Sequence, residues 1–74
     1  MNGWKNRETW NVSLWLQNDE GLYALARGCR EFATPYRRFV ARLADIGLTH
    51  TPDGVSYTSS RLSVRELNAC IREC

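Results

Sequence analysis

The chain has 74 residues, enough for one domain around one small core and too few for a second. Its composition, 43% hydrophobic and 24% charged, is that of a globular protein, and no run approaches the ~18 apolar residues a membrane span requires. A net charge of +2 is too small to make nucleic acid the default partner.

A first helix is predicted from Asn6, whose side chain can accept a free amide of the first turn, with Glu8 near the positive end of the helix dipole. Trp10 and Leu14 share one face and Val12 and Leu16 another, with Asn11 and Trp15 forming a third row between them. Trp10, Val12 and Leu14 are the expected core residues. Trp15, with Asn11 and Tyr23, is the expected contact surface, because three rows exceed what a small core covers. Trp4, just before the cap, is expected to staple against this helix.

Asn18-Asp19 marks a break, and Asp19 can cap a second helix in which Leu22, Leu25, Ala26 and Cys29 follow helical spacing. The connection is short, so the two helices are neighbours. Thr34-Pro35 signals a third start, with threonine as cap and proline at the first helical position. Tyr36, Phe39, Val40, Leu43 and Ile46 form the inward stripe of that helix, Arg37, Arg38 and Arg42 lie outward, and Gly47 can close it in the left-handed conformation. Thr51-Pro52-Asp53-Gly54 has the residues of a tight turn and allows a two-stranded hairpin of residues 48–51 and 55–58. Ser63-Val64-Arg65-Glu66 fits a capping box, and Val64, Leu67, Cys70, Ile71 and Cys74 give the last helix its apolar side. The expected fold is mainly α: a compact bundle of about four short helices, with a polar turn or small β-hairpin before the last one. Three tryptophans, three tyrosines and two phenylalanines take the place of covalent staples in so small a core.

Cys29, Cys70 and Cys74 are an odd set that would leave one thiol outside any disulfide, which argues for a reducing compartment. No charged leader followed by an apolar stretch opens the chain, so it reads as soluble and cytosolic. Cys70 and Cys74 with His50 or Cys29 have ligand chemistry, but no Cys-x-x-Cys pair or second histidine supports zinc, and core packing explains them better. A nucleophilic Cys29 or Cys70 paired with His50 lacks an orienting third group, and no glycine-rich phosphate loop exists. The sequence reads as non-catalytic, with no cofactor and no metal.

The basic residues are less easily set aside. Arg27, Arg30, Arg37, Arg38 and Arg42 against Glu31 give the middle of the chain about +4, while each flank is about −1. These arginines span the junction of two helices and suit carboxylates as well as phosphates. The patch reads as a solvated face, a protein-binding face through Arg30, Arg37, Arg38 and Arg42, or a nucleic-acid face. Glu31 within it and the few Asn or Gln on the third helix weigh against base reading.

Asn-Arg-Glu-Thr-Trp-Asn-Val at 6–12, Leu-Trp-Leu at 14–16 and Asn-Asp-Glu at 18–20 resemble a family of small uncharacterised proteins encoded by bacteriophages, including cyanophages, and by bacterial genomes with phage-derived genes. Thr51-Pro52-Asp53-Gly54-Val55 is similar to a later segment of the same group. The resemblance implies a phage origin and a host-cytoplasmic setting, and carries over no catalytic residue or cofactor. Small phage proteins often bind and inhibit or redirect a host protein. The expected function is therefore non-catalytic binding and modulation of a host protein. The alternatives are a nucleic-acid-binding regulator using the central arginines, and a homo-oligomeric structural protein.

Overall fold

The computed structural model describes residues 3–73, which form four helices: α1 (Arg7–Asn18), α2 (Glu20–Gly28), α3 (Pro35–Asp45) and α4 (Val64–Arg72). They pack into an all-α globule of 26 × 24 × 22 Å. No strand occurs among the described residues; the connection between α3 and α4 turns back on itself with a single antiparallel bridge, His50 to Ser56.

Local chemistry sets most of the helix ends. Asn6 Oδ1 accepts the Thr9 amide at 2.9 Å and opens α1. Asp19 serves two helices, since its amide donates to the Trp15 carbonyl at 2.9 Å while its carboxylate accepts the Leu22 amide at 3.0 Å. At the end of α3, Gly47 has φ +80°, and the Leu48 and Gly47 amides donate to the carbonyls of Leu43 and Ala44 at 2.9 and 3.1 Å. This is the Schellman closure that a glycine at that position permits.

Two ends differ from expectation. Thr34 occupies the cap position of α3 but makes no capping hydrogen bond; the Tyr36 amide donates instead to Asn68 Oδ1 of α4 at 2.8 Å. Only half of the capping box at Ser63 forms. Ser63 Oγ accepts the Glu66 amide at 3.3 Å, but the Ser63 amide donates to Thr9 Oγ1 at 2.9 Å, and the Glu66 carboxylate accepts the Lys5 amide. In both places a tertiary partner takes the position that a local side chain could have filled.

The core joins Val12 and Leu16 of α1, Leu22 and Ala26 of α2, Cys29, Tyr36, Phe39 and Leu43 of α3, Tyr57 and Leu62 of the connection, and Leu67, Cys70 and Ile71 of α4. Phe39 meets Tyr57 edge-to-face with centroids 6.2 Å apart, and the buried Tyr36 hydroxyl donates to the Tyr57 carbonyl at 2.7 Å. Burial pushes the Tyr36 phenol well above its ordinary value. Leu25 and Val40 are half-buried at the rim of this cluster, as is Trp4.

The inward face of α1 is not the one its tryptophans suggest. Thr9, Val12, Ser13 and Leu16 form the buried stripe, with Asn11 beside it, while Trp10 and Leu14 are half-exposed and outside the core cluster. Burying Thr9 and Ser13 is tolerable because both hydroxyls are bonded: Ser13 donates to the Trp10 carbonyl, and Thr9 bridges Asn6 and Ser63. Ile46, assigned to the core by spacing, is 62% exposed, since α3 ends before it and the closing turn carries it outward. Val64, at the first position of α4, is also exposed, and Cys74 lies outside the described residues.

Candidate interaction surface

The two segments that carry the sequence resemblance meet in space. Residues 51–54 form a turn in which the Gly54 amide donates to the Thr51 carbonyl at 2.8 Å; Gly54 has φ +90°, and the Thr51 amide donates to the Val55 carbonyl at 2.8 Å. This turn docks on α1. The buried Thr51 hydroxyl donates to Asn11 Oδ1 at 2.8 Å, and Asn11 Nδ2 and Trp15 Nε1 both donate to Asp53 Oδ2, at 2.7 and 2.9 Å. Those two donors hold the Asp53 carboxyl below its ordinary value. Asn11 and the indole nitrogen of Trp15, expected at a contact surface, are therefore engaged in holding the turn.

A second knot ties the starts of α1 and α4. Asn6 Oδ1 accepts from both the amide and the hydroxyl of Thr9, and Asn6 Nδ2 donates to the Arg61 carbonyl at 2.6 Å. Glu8 pairs with Arg61 at 3.7 Å on the surface. Among the described residues no buried side-chain nitrogen or oxygen lacks a hydrogen-bond partner, and Asn6, Thr9 and Asn11 of the motif spend their side chains on contacts within the fold.

The cysteines and the histidine lie in different surroundings. Cys29 and Cys70 are buried; Cys70 Sγ accepts from Gln17 Nε2 at 3.0 Å. His50 is exposed in the connection, its Nδ1 2.9 Å from Thr49 Oγ1. Among the described residues no group of three His, Cys, Asp or Glu is placed to hold a metal, and no helix there is long and apolar enough to cross a membrane.

The arginines divide. Arg30 is exposed beyond the end of α2. Arg37 lies with Val40, Tyr57 and Ser59 around a shallow depression of about 170 Å³. Arg38 and Arg42 stand four residues apart on α3 and share a row that reaches the exposed Ile46. The Arg38 guanidinium lies 5.1 Å from the centroid of Phe32, which is 46% exposed. This row of Phe32, Arg38, Arg42 and Ile46 combines charge with uncovered apolar surface. Spacing alone could find the arginines. Phe32 falls in the connection between α2 and α3, where no periodicity assigns it a face. Tyr23 is half-buried and lies with Trp4 along a separate open groove of about 700 Å³.

Over residues 1–74 the sequence matches the model of a family described as "Family of unknown function (DUF7249)". The chain belongs to that family. Membership covers both motif segments, the docked turn being the second, but names no chemistry. Comparison with curated proteins and with solved structures returned no match.

Proposed function

We propose that this DUF7249 member is a small phage-encoded protein that acts in the host cytoplasm by binding a host protein and modulating or inhibiting it, with no chemistry of its own. The observation that carries the reading is the α3 row, in which the Arg38 guanidinium stacks on a half-exposed Phe32 in line with Arg42 and the exposed Ile46. Arginine and aromatic side chains dominate protein–protein binding energy, and a planar guanidinium pairs bidentately with carboxylates. The row fits an acidic, partly apolar protein surface. The motif resemblance at 6–20 and 51–55 supports the phage setting, and the reducing cytoplasm accords with an odd number of cysteines.

The test is affinity capture with the tagged chain from expressing cells, alongside the double variant Arg38→Glu/Arg42→Glu. The expected result is one stoichiometric protein partner, with affinity reduced about tenfold or more in the variant at unchanged melting temperature. Absence of such a partner, or full retention by the variant, overturns the proposal. Capture that disappears on nuclease treatment and falls steeply with salt assigns the arginines to nucleic acid instead. A salt-independent oligomer by light scattering assigns the apolar row to self-association.

A further inference from the structure

The open groove of about 700 Å³ is lined by side chains unlike those of the rest of the surface. Trp4 and Tyr23, both half-buried, lie along it with Gln17, Glu66, Cys70 and Glu73. The protein carries 10 Lys and Arg against 8 Asp and Glu, yet among the described residues the groove wall has two carboxylate side chains and neither a lysine nor an arginine. Among the described residues neither Glu66 nor Glu73 forms an ion pair. The Glu66 carboxylate accepts the Lys5 backbone amide at 2.8 Å. Arg72, next to Glu73 in the chain, donates to the Ala33 carbonyl at 2.9 Å and so is tied to the connection between α2 and α3. The volume falls within the range of small-ligand and side-chain sites.

We infer that this groove is a receptor for an arginine side chain on a basic segment of a partner protein. A guanidinium stacks favourably on an indole or phenol face, and its fork of N–H donors satisfies a carboxylate bidentately, so aromatic walls beside uncompensated glutamates complement it in shape and charge. The inference is independent of the α3 row, which is of opposite charge and built from other residues.

The experiment is a two-dimensional NMR titration of the full chain with an acetylated hexapeptide of alternating arginine and glycine, beside the same peptide with glutamate for arginine. Saturable shifts are expected at the Trp4 indole and at Tyr23, Ala69 and Glu73, with none from the acidic peptide. Trp4→Leu and Glu73→Gln should each weaken binding about threefold to fivefold while keeping the dispersed spectrum. Glu73→Gln is preferred to a change at Glu66 because Glu66 also bonds Lys5. Arg38→Glu/Arg42→Glu should leave this titration unchanged, which separates it from the proposed host-binding face. Absence of saturation at millimolar peptide, shifts spread over acidic residues outside the groove, or wild-type affinity in both groove variants overturns the inference.

Discussion

Asn11 is 4% exposed, and both ends of its amide are used: the carbonyl oxygen accepts from Thr51 and the nitrogen donates to Asp53. Asn11→Ala leaves the proton of the buried Thr51 hydroxyl without its acceptor and should lower unfolding free energy by about 1–3 kcal/mol in urea titrations. The pH dependence follows from Asp53. Its folded pKa is depressed, so its contribution to stability is fully present above the ordinary value of 3.8 and is lost as the pH falls through the lower folded value. Wild type should therefore lose an acid-dependent component of stability that Asp53→Asn lacks, read as melting temperature between about pH 5 and pH 2. Tyr36→Phe removes the buried donor to the Tyr57 carbonyl and should cost about 1 kcal/mol. The sequence shows that Asn11 is polar on an apolar helix. Its partners lie 40 and 42 residues away, so polarity alone makes it look like surface.

Helix ends separate local from tertiary capping. Asn6, Asp19 and Ser63 are legible because each bonds an amide three residues on, within reach of any reading of adjacent residues. Thr34 is not, because Asn68 of another helix takes its role. Asn68→Ala should accordingly cost about 1 kcal/mol and Thr34→Ala less than about 0.5 kcal/mol, a reversal of the order that the Thr-Pro signal implies, measured by thermal or denaturant unfolding. Thr9→Val should cost about 2 kcal/mol, since the Thr9 hydroxyl is completely buried and joins Asn6 to the Ser63 amide. The same bond ties Thr9 inward, with Ser13 on the same buried stripe, while Trp10 and Leu14 stay half-exposed outside the core cluster. Three rows of α1 could have been buried on hydrophobicity alone, and packing against α2 and α4, together with the docked turn, selects among them.

At the scale of the molecule, four short helices share one core in which Phe39 is fully buried between the tilted ring of Tyr36 and the edge-on ring of Tyr57. A domain of this length has about 4–11 kcal/mol of stability, and Phe39→Ala should remove about 3–5 kcal/mol, a large share of it, read as a drop in the urea midpoint followed by circular dichroism. The helical pattern, the short α1–α2 junction and the closing Gly47 were readable from periodicity and punctuation. The meeting of residues 51–55 with α1 was not, since no local rule carries a turn to a helix 40 residues away. That meeting joins the two segments that carry the sequence resemblance through the hydrogen bonds of Asn11, Trp15, Thr51 and Asp53, while the α3 row and the groove are the surfaces proposed for partners. A double-mutant cycle tests the assignment most directly, with urea unfolding of Asn11→Ala, Asp53→Ala and the double variant. Asp53→Ala should lower the midpoint clearly less in the Asn11→Ala background than in wild type; an equal drop in both backgrounds would contradict the docked turn.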